Sequence, residues 1–276
     1  MTPNSPERTA ILQTGRLGDL WFTLPLAHHL HQQGQAVEVV YDAQYGNPFT
    51  FTPYVTARPM KMPGPLESPG RWSYAINQAI HQVRLNQTLK KEYARVIWRQ
   101  IFPYRWLHTV HENRPYPYQW YAAFPEINFR RAPTTLECAD EKTILLLDKS
   151  QSVHFHKDDS YARWFEENLQ KLVEATHYTP VYVASGSEPD HPKYRTWRGS
   201  QDDYQRSIAR CGIVYGTSTS AHVLGQLIGK AVVPLYGNRK VRYDTIGEED
   251  ACLFPGERLD AAQLDRVVKK LGQPPG

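Results

Sequence analysis

Short apolar runs and amphipathic stretches alternate along almost the whole chain, and their periods predict strands and helices in turn. Thr9 to Gln13 reads as a short buried strand. A helix over about Gly18 to Gln33 follows, with Leu20, Leu24 and Ala27 on one face at three- and four-residue spacing. Pro25 falls in its early turns, so it either kinks this helix or marks its true start. Gly34 closes it, and Ala36 to Tyr41, AVEVVY, is the next strand, completing a βαβ unit. Residues 43 to 72 are rich in Pro, Gly and aromatics, with one strand-like stretch at Ala57 to Met62, and read as a loop-rich insertion. A helix from Trp72 to Lys91, a strand from Ala94 to Phe102 and an irregular region ending near Arg131 lead to the candidate linker, Thr134 to Lys142.

The second half repeats the alternation. Thr143 to Leu147 is a strand, and Ser160 to Ala175 is a helix with Tyr161, Trp164, Phe165, Leu169, Leu172 and Val173 on one face. Strands at Pro180 to Ser185, Gly212 to Tyr215 and Ala231 to Tyr236 alternate with helices at Gln201 to Arg210 and Ser218 to Ile228. A last helix, Ala261 to Leu271, is expected to bury Leu264, Val267, Val268 and Leu271. Such alternation implies parallel sheets with right-handed crossovers in both halves. A length of 276 residues suits two compact α/β lobes, residues 1–135 and 136–276.

Composition narrows the partners. The net charge of +4 suits an anionic ligand without demanding nucleic acid. Cys138, Cys211 and Cys252 form no C-x-x-C pair and their odd number opposes a disulfide framework, so a reducing cytoplasm is expected. The opening MTPNSPERTA lacks the apolar core of a signal peptide, and no apolar run approaches the ~20 residues of a membrane span. Between Arg95 and Arg131 there are six Arg against two acidic residues, interleaved with Tyr104, Trp106, Tyr116, Tyr118, Trp120 and Tyr121. Basic and aromatic side chains together track phosphates and stack on bases or sugar rings; they also fill cores.

The candidate chemistry lies in two strand-to-helix turns, ILQTGRLGDLWFTLPLAHHL from Ile11 and GIVYGTSTSAHVLGQLIGKAVVPLYG from Gly212. In each, an apolar strand runs into a helix whose first N–H groups face the turn, the usual construction of an anion site at the carboxyl end of a strand. Asp19 stands in the first helical turn beside Gly18, where a carboxylate is also favoured by the helix dipole alone. Arg16 is a candidate partner for an anionic acceptor or a phosphate. Thr217, Ser218, Thr219 and Ser220 offer hydroxyls and N–H groups to a diphosphate; ordinary helix capping accounts for one such residue more readily than for four.

Thr14 to Leu30, with its GD followed by TLP, resembles the opening of glycosyltransferase family nine, the heptosyltransferase-like enzymes. Gly216 to Gly237 resembles the donor-site helix of that family, and Val181 to Glu188, VYVASGSE, its strand and turn before the nucleotide contacts. The resemblance implies the GT-B fold, α/β with two Rossmann-like lobes whose parallel sheets face each other across a cleft. It further implies an amino-terminal acceptor lobe and a carboxyl-terminal lobe for the nucleotide sugar. Chemistry would be inverting and metal-independent, with no cofactor besides the sugar nucleotide. By this correspondence Asp19 is the catalytic base, and Lys157, Gly186, Ser187, Glu188, Thr217, Ser218, Thr219, Ser220 and His222 bind donor. The chain departs from the family where Tyr215-Gly216 stands in place of the usual acidic residue, where His222 to Lys230 runs one residue longer, and where Ala162 replaces a lysine.

Arg16, Arg99, Arg105, Trp106 and Trp120 would then face a polyanionic acceptor. Two acceptors are expected equally: a hydroxymethylated pyrimidine in DNA, reached as an extruded base, and a phosphorylated saccharide or lipid-linked core. Two other classes share the scaffold: a nucleotide or nucleic-acid binding protein without catalysis, and a nucleotide-sugar epimerase, which needs no acceptor.

Overall fold

The computed structural model describes residues 7–13, 17–61, 80–81, 83–98, 124–148, 159–184, 187–236 and 251–272. The chain divides into two compact units, Met1–Thr134 and Thr135–Gly276.

In the first unit the described strands are β1 (Arg8–Leu12), β2 (Ala36–Asp42), β3 (Thr56–Met60) and β4 (Arg95–Trp98), all parallel in the order β3-β2-β1-β4. Ala10, Ile11, Leu12, Val39 and Val40 are fully buried, as strands covered on both faces require. The helix expected over Gly18 to Gln33 is two helices, α1 (Leu17–Trp21) and α2 (Leu24–Gln32). The break is at Thr23, whose N–H and hydroxyl both donate to the Leu20 carbonyl. Pro25 marks the true start of α2, where its missing N–H and fixed φ cost nothing. The apolar pattern runs unbroken through the gap because Trp21, Phe22 and Thr23 are all buried, Trp21 donating to the Pro48 carbonyl and Phe22 stacking on Phe129. Of the helix expected over Trp72 to Lys91, residues 83–89 are helical, and most of the rest lies outside the described residues.

The second unit holds β5 (Thr143–Leu147), β6 (Thr179–Val183), β7 (Arg195–Trp197), β8 (Ile213–Thr217) and β9 (Ala231–Leu235), parallel in the order β7-β6-β5-β8-β9. Its helices are α3 (Asp159–Thr176), α4 (Gln201–Arg210), α5 (Ser220–Leu227) and α6 (Ala261–Leu271). The apolar face expected for α3 is the one that packs, and each of its large side chains contributes about 1.5–3 kcal/mol by burial. Asn168 joins that face fully buried: its amide donates to the carbonyls of Trp164 and Glu257, and its oxygen accepts from Leu259 N–H, pinning the segment before α6 onto α3.

Strand β7 is absent from the sequence reading, because its three residues are exposed or half-buried and carry no apolar run. Val268 is 42% exposed: one step of about 100° round the helix carries it off the stripe of Leu264, Val267 and Leu271 that meets the core.

Candidate functional site

In an open parallel sheet, ligands bind beyond the carboxyl ends of the strands where the strand order reverses, because the crossovers there leave in opposite directions and open a crevice. In the first unit that point lies between β1 and β4, and in the second between β5 and β8.

At the first point Gln13 follows β1, almost fully buried. Its N–H donates to the Val40 carbonyl and its side-chain amide to the backbone oxygen of Asp19, which ties the first turn of α1 to the edge of the sheet. Asp19 is half-buried there, at the carboxyl end of β1. Arg16, Arg99, Arg105, Trp106 and Trp120 lie outside the described residues. The flanks of the basic, aromatic stretch serve packing: Ile97 and Phe129 are buried, and Arg95 lies over the Phe124 ring at 5.9 Å.

At the second point the backbone of β8 closes tightly on β5. Gly216 has φ of 122°, and a Cβ there would lie 2.1 Å from the Leu147 carbonyl oxygen, so glycine is required. Beyond it, the Thr217 hydroxyl donates to the Asp148 carbonyl at 3.1 Å and lies 2.9 Å from the Tyr161 hydroxyl. Tyr182, from β6, donates to the Asp148 carboxylate at 2.9 Å. Burial pushes the Tyr161 phenol up to about 12. Burial and then the Asp148 carboxylate push Tyr182 well above its ordinary range, so both hydroxyls keep their protons at neutral pH.

The four-residue Thr/Ser run is divided between jobs. Thr217 ends β8, with its hydroxyl bonded inside the unit. Thr219 is the N-cap of α5: its side chain accepts from Ala221 N–H, while its own N–H donates to His222 Nδ1. The N–H groups of Ser218 and His222 go to the carbonyls of Leu235 and Thr219. Capping therefore accounts for most of this helix end, and Ser220 opens its first turn. His222 is 1% exposed, and burial pushes its pKa down to about 3, with the Val233 carbonyl opposing only in part. It is a neutral cap and supplies no positive charge to a phosphate.

Lys230 stands at the amino end of β9, away from the ligand edge, and its ammonium donates to the Ala139 carbonyl at 2.5 Å. Ser187 is exposed and Glu188 half-exposed after β6, the Glu188 carbonyl accepting from Arg198. Lys157 and Gly186 lie outside the described residues; of the two other basic residues near the start of α3, Lys149 also lies outside them and Arg163 is exposed on α3. The polar group that sequence reasoning missed is Asp148. Its signal is positional: it is the first polar residue after the apolar run TILLL, as Gln13 is after β1. Among the described residues no three of His, Cys, Asp and Glu converge as a metal site, and no helix is long and apolar enough to cross a membrane.

No family model matches the sequence, and neither does any curated protein. Solved structures do match, over nearly the full length. The ADP-heptose lipopolysaccharide heptosyltransferase II of E. coli superposes with a TM-score of 0.55 at 14% identity, covering 96% of this chain and 98% of that one. Heptosyltransferase WaaC of E. coli, solved with ADP, gives 0.54 at 15% identity over 96% and 100%. A glycosyl transferase of family 9 from Veillonella parvula gives 0.53 at 11% identity over 96% of each chain. Two parallel α/β units with this likeness make the fold GT-B.

Proposed function

We propose that this chain is a glycosyltransferase that moves a sugar from a nucleotide diphosphate sugar to an acceptor hydroxyl with inversion and without a metal ion. The second unit takes the donor, and the first supplies the base and the acceptor contacts. One observation carries the reading: within a fold shared end to end with heptosyltransferases, Asp19 stands half-buried at the reversal point of the first sheet.

The acceptor hydroxyl gives its proton to the Asp19 carboxylate as its oxygen attacks the anomeric carbon. The bond from that carbon to the diphosphate breaks in line, and the electron pair leaves on the phosphate oxygen. The positive end of α5 and Lys157 receive that charge. Within the basic stretch between Arg95 and Arg131, the arginines inside its packed flanks, Arg99, Arg105 and Arg114, favour a polyanionic acceptor, either hydroxymethylated DNA or a phosphorylated saccharide or lipid-linked core.

The test is Asp19→Asn in the full chain, incubated with ADP-linked and other nucleotide sugars and with both acceptor classes, and read by mass spectrometry. Wild type should add a sugar mass to one class, and the variant should lose transfer while keeping its melting temperature and nucleotide binding. Full activity in the variant rejects Asp19 as the base; a wild type that adds sugar to neither class, yet is stabilised by oligonucleotides alone, favours a binding protein.

A further inference from the structure

Two hydroxyls from neighbouring strands bond to Asp148, and two further residues set one of them in place. The Tyr182 hydroxyl from β6 fixes one carboxylate oxygen, and Thr217 at the end of β8 fixes the Asp148 backbone carbonyl. Tyr161 from α3 backs Thr217, and Gly216 lets the two backbones approach closely enough for these bonds to form. Strand β6 thus orients the acidic side chain, while β8, backed by α3, fixes the backbone that carries it, at the reversal point of the second sheet and at its ligand edge. Preorganisation of this kind is what a recognition group needs, because an acceptor held in place loses little entropy when a ligand arrives.

An ionised carboxylate only accepts hydrogen bonds and repels phosphate. Its complement on a nucleotide sugar is therefore a pair of hydroxyls, not the diphosphate. Resting on the glycosyltransferase reading, we propose that Asp148 is a specificity-determining residue of the donor site that accepts hydrogen bonds from a vicinal diol, on the ribose or on the transferred sugar. Tyr182, Tyr161 and Thr217 are its positioning residues.

A different account is that Asp148 merely satisfies the buried Tyr182 hydroxyl. Asp148→Asn separates the two, since an asparagine oxygen still accepts from Tyr182 while the charge is lost. The experiment is calorimetric titration of the full-length protein and of this variant. The probes are the four common ribonucleoside diphosphates, their 2′,3′-dideoxy counterparts and the matching nucleotide hexoses. A lost hydrogen bond to a charged acceptor should weaken the diol-bearing ligand about ten- to a hundredfold. If the ribose carries the diol, the ribonucleoside diphosphate weakens in the variant and the dideoxy form does not. If the sugar carries it, only the nucleotide hexose weakens. Tyr182→Phe should weaken the same probe by a smaller factor. Unchanged affinity for every probe in a folded Asp148→Asn protein, or an equal change for all including the dideoxy forms, overturns the proposal and leaves the glycosyltransferase reading standing. A wild type that binds no nucleotide overturns both.

Discussion

Gly216→Ala tests whether the crevice between β5 and β8 depends on the approach of two backbones. At φ of 122°, a non-glycine residue carries strain of about 1–3 kcal/mol. Its Cβ would stand 2.1 Å from the Leu147 oxygen and 2.8 Å from the carbonyl carbon, both backbone atoms of a paired strand, so relief requires the sheet itself to move. Overpacking of that kind adds about 1–3 kcal/mol, for a total near 4 kcal/mol, a large share of the 5–15 kcal/mol that holds a domain together. Two other glycines provide the scale. Gly34→Ala meets nothing within 4 Å and should cost only the strain of its φ of 81°, about 1–2 kcal/mol. Gly225→Ala meets the methyl ends of Val214 and Val232 at 3.1 and 3.2 Å and the Lys230 Cβ at an ordinary 3.7 Å, and gains about 1 kcal/mol of helix propensity, so it should be close to neutral. Urea unfolding of the three full-length variants, followed by tryptophan emission, should rank them with Gly216→Ala far below the others. A midpoint for Gly216→Ala no lower than that of Gly34→Ala would refute the reasoning, because the close approach would then carry no energetic weight.

Other expectations follow from the same geometry. His222 takes up a proton near pH 6.5 when unfolded and only near pH 3 when folded, so its contribution to stability is complete above pH 6.5 and is lost as pH falls from there towards 3. In that window the wild type should lose about 1.4 kcal/mol per pH unit relative to His222→Gln; parallel urea midpoints for the two proteins from pH 7 to 4 would remove the basis for this. Thr219→Ala leaves the Ala221 N–H uncapped and should cost about 1 kcal/mol by urea midpoint, with Thr219→Ser restoring most of it. Asn168→Ala deletes bonds to Trp164, Glu257 and Leu259 and strands a buried N–H, so a loss of about 3 kcal/mol is expected in the same assay, and a loss below 1 kcal/mol would show that the segment before α6 is held by its apolar contacts alone.

What the sequence reveals and what it hides divide along physical lines. Thr143–Leu147, Gln201–Arg210 and Ala261–Leu271 appear with the bounds their periodicity gives, because each owes its form to local pattern and to caps within a few residues. The break between α1 and α2 is invisible to hydropathy, since both sides and the gap are buried, and only Pro25 announces it. Strand β7 exists because it pairs with β6, and pairing is not a local property. Asp19 draws notice from a context that is continuous in sequence. Asp148 does not, because its place beside Thr217 and Tyr182, which are distant in the chain, is set only by the strand order. The polar cap at Thr219 and His222 shows the reverse case, in which a motif read as open to a ligand has already used most of its donors.

The join between β5 and β8 has a consequence for how the protein comes into being. Its two partners are 69 positions apart, with β6, α3, β7 and α4 between them, so the crevice closes only after a long loop has been drawn together. A chain emerging from the ribosome can assemble β5, β6 and β7 side by side, but it has no diol-recognition crevice until Thr217 has been made and β8 has docked against β5. Truncated products ending before β8 should therefore keep the Asp148–Tyr182 pair but lack the Thr217 bond that completes the crevice, and that bond arrives in one late step with the non-local pairing that sets the pace of folding in parallel sheets.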